Sequence, residues 1–306
     1  MSHAKTAHNA HAKGREKWMA HLAMLSFALL ISGSFSLGGI AAKFAPSAAI
    51  NALRYILSVA VMWLFATQVM KVRITWPKEP WRYVVLGLLM AIYMFTMFKA
   101  LEFTSPVSTG AVFTLMPLIS AGFAWILMRQ HTKPAVLVSL VVAAIGAVWV
   151  IFRGDVNAIL GFDVGRGEAI YFIGVVAHAA YAPLLRLFGR GEPPIFVGFW
   201  AVAATGAWLM IPGIPALLQT DMTSFPIEVW AAIVYMAIGT TAVTFMLLQY
   251  ASMRLPASKT LSYGYLTPSF IILLEGLLGH GWVSLTIWAG ALVTALGLAI
   301  SGLLPD

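Results

Sequence analysis

Residues 99–128 read KALEFTSPVSTGAVFTLMPLISAGFAWILM, and residues 250–279 read YASMRLPASKTLSYGYLTPSFIILLEGLLG. Shifted by 151 residues, the first stretch sets Pro117 on Pro268, and further along Gly146 falls on Gly297. In both stretches a helix closes near an alanine (Ala100, Ala251), a short turn follows, and a proline-interrupted helix begins. A glycine-containing last helix completes each half. The shift is close to half of the 306 residues, so the chain reads as an internal duplication.

Outward from these stretches, the composition fixes the medium. Hydrophobic residues make up 60% and charged residues 10%, against roughly 45–50% and about 25% in soluble domains. So few polar side chains cannot cover a soluble surface. The absence of cysteine excludes a disulfide scaffold, thiolate metal sites and cysteine nucleophiles. Apolar runs long enough to cross a hydrocarbon core recur at 20–42, 47–70, 83–103, 106–128, 134–152, 167–187, 194–214, 227–250, 257–279 and 283–303. Trp18, Trp76, Trp81, Trp149, Trp230 and Trp282 fall near the ends of runs, where interfacial aromatics gather. The runs are continuous rather than alternating, which argues against a β-barrel.

The expected fold is therefore an all-α integral membrane protein with ten transmembrane helices. It divides into a cytoplasmic basic tail (1–18), a first five-helix repeat (19–153) and a second (154–306). An odd number of crossings per repeat makes the second copy enter from the opposite face, giving two five-helix inverted-topology repeats. The start of the chain has some features of a signal peptide, but its apolar run is span-length and is read as a retained helix. His3, His8 and His11 read as a solvated tail rather than a metal site. Thirteen lysines and arginines fall in segments on the N-terminal side of the membrane, against Lys43, Arg153 and Arg166 on the other. This asymmetry places both termini in the cytoplasm and makes the net charge of +8 topogenic rather than nucleic-acid-binding.

Inverted repeats are a recurring architecture of secondary transporters, with the substrate site near the midplane where the repeats meet. Several stretches carry a family likeness: Arg54 in NALRYILS (51–58), KALEFTSPVSTGAVFTLMP (99–117), IGAVWVIFRGD (145–155), GEAIYFIGVVAHAAYAPLLR (167–186), and residues 267–302 from TPSFIILLEGLLG onward. In order and spacing these resemble the drug/metabolite transporter superfamily, specifically its ten-helix EamA-like branch of bacterial inner-membrane permeases. The resemblance covers nearly the whole chain. It implies alternating access through a central cavity lined by spans one, three, four, six, eight and nine. It also implies small organic metabolites as substrates, with amino acids or related compounds foremost and export the favoured direction. Where the family more often has Gly-Glu, this chain has Gly279-His280, and Glu275 does not fill that place.

A charge at the centre of a membrane helix costs ~2.5–3.5 kcal/mol on insertion scales, so each such residue needs a reason. His178 lies midway along span six, as a cavity-lining donor or proton carrier, or as a neutral ring bonded to a neighbouring helix. Arg54, early in span two, reads as a structural or gating group or as a ligand for a substrate carboxylate. Lys99 and Glu275, near the outer ends of spans three and nine, read as an outer gate pair or as ordinary interfacial charges. Lys259 reads as snorkelling at the inner end of span nine. Pro117 and Pro268 remove backbone donors mid-span, which points to helix breaks along the transport path. Tyr93, Phe113, His178, Tyr181, Tyr263 and Tyr265 are the candidate cavity walls.

No Walker A pattern, HExxH, CxxC or GxSxG is present. The reading is a transporter without cofactor or metal and without catalysis. A passive channel or facilitator is the alternative, and a membrane-embedded enzyme a weaker one. Its partners are a small-molecule substrate and the lipid bilayer, with protons as candidate coupling ion, no nucleic acid, and either a monomer or a homodimer.

Overall fold

A computed structural model of the protein describes residues 14–130, 132–161, 163–255 and 262–303. The tail histidines and Lys259 lie outside the described residues. Within them, every regular element is helical. In chain order these are α1 (Gly14–Ala41), α2 (Ser47–Val69), α3 (Pro80–Ala100), α4 (Pro106–Met128), α5 (Pro134–Ile151), α6 (Arg166–Phe188), α7 (Pro194–Gln219) and α8 (Ile227–Ser252). They are followed by α9 (Thr267–Leu277) and α10 (Leu285–Leu303). The first eight are long and apolar enough to cross a membrane. α9 has 11 residues, and residues 257–261 of the ninth apolar run lie outside the described residues.

Prolines set several starts. Pro80, Pro106, Pro134 and Pro194 occupy the first helical positions of α3, α4, α5 and α7. There a missing N–H costs nothing, because that donor has no partner inside the helix. Ser105 caps α4 by accepting from the Ser108 backbone N–H at 3.2 Å. α7 runs through Pro212 and Pro215 to Gln219, beyond the expected end at 214.

Two long helices are irregular where apolar periodicity gives no hint. α4 is two helical segments, Pro106–Phe113 and Met116–Met128, separated at Thr114–Leu115. α8 contains a π-helical stretch, Ile238–Val243, and α2 ends in another, Phe65–Val69.

The helices pack as α3 on α6 and α7, α2 on α7, α5 on α10, and α1 on α8 and α9. Glycines allow the closest approaches. A Cβ on Gly174 of α6 would strike Thr96 and come within 3.1 Å of the Tyr93 Cα on α3. A Cβ on Gly87 of α3 would lie 2.8 Å from the Thr205 nitrogen of α7. Between α5 and α10, a Cβ on Gly146 would lie 2.6 Å from the Gly290 oxygen, and one on Gly297 would lie 3.0 Å from the Ser139 oxygen. Rising numbers meet falling ones, so α5 and α10 run antiparallel. Small residues of this kind bring backbones close enough for dispersion to hold helices together where lipid offers no hydrophobic drive. Large apolar side chains such as Leu29, Ile56, Ile145 and Leu292 remain exposed on the outside of the bundle, as a surface against lipid requires.

Candidate functional site

Gly174 decides the centre of the molecule. By letting α6 close on α3, it brings the His178 ring, one helical turn further along, to 4.3 Å from the Tyr93 ring. Phe113, the last residue of the first α4 segment, completes the group at 6.3 Å from both rings. Tyr181 packs edge-on to His178 at 6.1 Å. Behind them the fully buried Tyr171 donates to the Tyr93 hydroxyl at 3.1 Å, and Phe35 of α1 meets Phe113 and Tyr171 edge-on. His178 Nδ1 is buried with no hydrogen-bond partner. A polar atom left bare in an otherwise apolar box is a point at which a ligand gains a hydrogen bond.

The structure thus joins Tyr93, Phe113, His178 and Tyr181 in one cluster, contributed by α3, α4 and α6. Tyr171 and Phe35 belong to it as well; Tyr171 is two helical turns from His178 on α6, but depth alone does not separate a wall from its backing, and no candidate on α1 points to Phe35. Tyr263 and Tyr265 are elsewhere. They occupy a 3₁₀ turn, Tyr263–Leu266, whose tight winding sends residues two apart to different faces. Tyr263 shares a 2.7 Å hydrogen bond with His21 near the start of α1. Tyr265 packs with Leu140 and Ala143 of α5.

Arg54 of α2 is 3% exposed. One terminal nitrogen donates to the Thr240 hydroxyl at 3.0 Å, the other contacts the Met94 sulfur at 3.4 Å, and Nε has no partner. Its guanidinium lies 5.5 and 5.8 Å from the Tyr55 and Phe98 ring centres. Among the described residues it forms no ion pair. Thr240 and Thr241 lie in the π-helical stretch of α8, and Thr241 contacts Ser58 at 3.4 Å. The extra residue in that turn faces both threonines toward α2; π-bulges of this kind often mark functional positions.

Pro117 and Pro268 each stand at the first turn of a helical segment that follows a break. The preceding residues, Leu115 (φ −75°, ψ −19°) and Leu266 (φ −79°, ψ −10°), have nearly the same backbone conformation.

At one end of the bundle a cavity of about 1210 Å³ opens between the ends of α1, α3, α5 and α9 and the start of α10. Lys43, Lys99, Glu102, Arg153, Glu275 and His280 all line it. Lys99 and Glu275 are not paired with each other. Lys99 binds Glu102, three residues on, at 2.5 Å, and Glu275 binds His280 at 2.9 Å. Each carboxylate is claimed by a partner close in sequence, leaving no direct link across the cavity. Glu168, an acid that the sequence pattern does not single out, is 3% exposed. It accepts hydrogen bonds from Ser108, at 2.6 Å, and from Thr104. Gly167 leaves room for that contact, since a Cβ there would lie 2.7 Å from Thr104 Cβ.

The opposite end is tied by charge. Arg82 binds Glu192 at 2.6 Å and Glu79 at 3.1 Å, and donates to the Phe188 carbonyl. This fastens the start of α3 to the α6–α7 turn. Burial works against ionisation of Glu192, but the Arg82 hydrogen bond and charge, with backbone N–H donors, hold its carboxyl below the usual range.

An apolar helical bundle with a polar-lined cavity, a buried unpaired guanidinium and an aromatic–histidine box defines a polytopic membrane protein of transporter class. The EamA-like transporter family matches residues 18–152 and again residues 165–303, and the chain belongs to that family. It is similar to the uncharacterized transporter YyaM of Bacillus subtilis (strain 168), 25% identical over 290 residues, covering 93% of this chain and 94% of that protein. A protein of known crystal structure, 21% identical, shares the fold with a TM-score of 0.64 over 95% of this chain and 99% of its own.

Proposed function

We propose that the protein is a secondary transporter of ten membrane-spanning helices that moves a small organic metabolite by alternating access. The observation that carries this is the central box, because it is built across the two halves of the chain. Tyr93 and Phe113 come from the first half, while His178 and Tyr181 come from the second. Rocking of one half against the other necessarily changes such a site.

An inverted duplication is supported by the contacts themselves. The Thr294 hydroxyl faces the Ala143 carbonyl at 3.5 Å, and the two residues are one repeat apart. Shifting the Gly146–Gly290 approach by one repeat gives the Gly297–Ser139 approach, which is also present. These contacts support a pseudo-two-fold axis between α5 and α10. An operation that exchanges antiparallel membrane helices has its axis in the membrane plane. The family's separate matches to each half agree with this.

Amino acids or related compounds are the proposed substrates. The aromatic walls accept an apolar side chain, and Arg54, without a carboxylate of its own, suits a substrate carboxylate. Export across a bacterial inner membrane, with both termini cytoplasmic, follows from the family resemblance and the charge asymmetry. In this orientation the large cavity faces outward and the Arg82 network inward.

The test is counterflow in proteoliposomes holding pools of unlabelled amino acids, followed by entry of radiolabelled ones. Trans-stimulation by one pool identifies a carrier and its substrate class, because a channel shows none. Silence for every pool, from protein shown to be folded, removes the amino-acid reading.

A further inference from the structure

Glu275 sits in the last turn of α9 and is 9% exposed. It lines the outer cavity, and its Oε1 is buried without a hydrogen-bond partner. The other oxygen, Oε2, lies 2.9 Å from His280 Nδ1. The chain makes this contact deliberately. Gly279 (φ 79°) and Gly281 (φ 95°) both take left-handed conformations that other residues rarely adopt. They turn the backbone so that the His280 N–H returns to the Glu275 carbonyl at 3.0 Å and its ring folds over the carboxylate. The Trp282 indole covers Gly276 so closely that a Cβ there would lie 2.6 Å from the ring.

Three occupants suit a half-satisfied buried carboxylate: a metal ion, an organic cation or a proton. Among the described residues, no group of three carboxylate, histidine or cysteine side chains is placed to hold a metal. An organic cation would meet Lys43, Lys99 and Arg153 on the same cavity walls. A proton needs one oxygen and a path to water, and both are present.

We propose that the Glu275–His280 pair is a proton-binding site through which the outer cavity couples proton entry to transport. The proposal rests on the transporter reading above and names its coupling site. The pair holds up to two protons. Oε2 is held by His280 Nδ1, and Oε1, buried without a partner, is the oxygen left to take the proton that neutralises the carboxylate.

The surrounding charges supply the coupling. α9 packs on α1, α4 and α10. From α1's end comes Lys43, from α3 the Lys99–Glu102 pair, and from α5's end Arg153; behind Ser108 of α4 lies Glu168. α10 presents no titratable group to the cavity. Glu102 is engaged by Lys99, and Glu275, held by His280 through Oε2 alone, is the other carboxylate on walls that also carry Lys43 and Arg153. Neutralising it leaves like charges facing each other and biases the walls apart, a bias that bound substrate still overcomes. Deprotonation restores a counter-charge and allows the walls to close.

The experiment compares wild type, Glu275→Gln, Glu275→Asp and His280→Gln in proteoliposomes, using the radiolabelled amino-acid pool that counterflow selects. For one coupled proton, a gradient of about one pH unit sustains about tenfold accumulation at equilibrium. Glu275→Gln is expected to keep exchange and lose gradient-driven accumulation. Glu275→Asp is expected to retain accumulation, and His280→Gln to move the pH at which exchange is half-maximal. Accumulation by Glu275→Gln equal to wild type overturns the proposal, as does loss of exchange together with accumulation in a folded protein. Infrared titration of the purified protein reads the pair without any substrate. A protonated-carboxyl band that appears on acidification and is missing in Glu275→Gln supports the site, and its absence from wild type overturns it. If wild type exchanges nothing, the transporter reading fails, and the infrared result still decides whether the pair binds the proton.

Discussion

Arg54 and His178 are both polar groups in an apolar interior, yet they make opposite demands. His178 is a neutral-capable ring whose Nδ1 lacks a partner, so removing it costs the fold little and costs a ligand its hydrogen bond. His178→Ala is expected to impair transport while membrane expression stays at wild-type level; unchanged uptake kinetics would remove it from the site. Arg54 carries a charge that no described carboxylate offsets, so its burial has a desolvation cost that an apolar side chain of similar volume avoids; even for a buried ion pair such replacement is often neutral or stabilising by ~1–4 kcal/mol. Arg54→Met is therefore expected to raise the thermal unfolding midpoint in detergent and to abolish transport of carboxylate-bearing substrates. A lowered midpoint would make Arg54 a structural residue instead. Glu192 gives a pH dependence. Arg82 holds its carboxyl below the usual range, so its stabilising effect is complete above about pH 4.3 and fades as acid takes the pH through the lower folded-state value. Wild type and Glu192→Gln should differ in thermal stability at neutral pH and converge in acid. Depth along a helix made His178 and Tyr93 legible from the sequence. Glu168 was not, because an acid at the very start of an apolar run looks the same whether it faces water or the Thr104 and Ser108 hydroxyls.

At the scale of elements, apolar run length determines where helices are, and backbone chemistry determines where they break. Pro117 and Pro268 each follow a break, and Leu115 and Leu266, 151 residues apart, show nearly the same local geometry. What the prolines alone do not reveal is that each opens a new helical segment rather than kinking a continuous one. In consequence Tyr263 and Tyr265 enter a 3₁₀ turn and part company. The π-helical stretch of α8 left still less trace, since Gly239, Thr240 and Thr241 are compatible with an ordinary membrane helix. If the breaks serve as hinges, Pro117→Ala and Pro268→Ala will let hydrogen-bonded turns form across them. Turnover is then expected to fall more than binding weakens, and unchanged turnover in both variants would reduce the breaks to packing features. The α3–α6 contact is tested by Gly174→Val. Its side chain collides with Thr96 and the Tyr93 backbone, and overpacking of this kind costs about 1–3 kcal/mol. The Tyr93–His178 pairing should be lost with it, which substrate-induced tryptophan quenching or thermal stabilisation by substrate would register.

For the whole molecule, the two ends differ, and the proposed carrier cycle makes that difference testable. A cavity of about 1210 Å³ opens beside Lys43 and Arg153, whereas the notch beside Arg82 and Glu192 holds about 10 Å³. On the proposed alternating-access reading the asymmetry is not permanent, because halves related by a two-fold axis would have an alternative packing in which the ends exchange roles. The chain contains no cysteine, so single cysteines report on each end without background. Ala42→Cys places a thiol on the wall of the large cavity, and Val197→Cys places one at the notch. Each is tested with a charged maleimide that does not cross membranes, added from its own side of sealed vesicles. In the resting protein Ala42→Cys should label quickly and Val197→Cys slowly. Under conditions that drive net transport, labelling should slow at Ala42→Cys and quicken at Val197→Cys. Rates that rise together at both ends would mean a continuous pore, and the protein would then be a facilitator rather than a carrier. Rates that stay fixed during demonstrated transport would place the moving parts away from both of these walls.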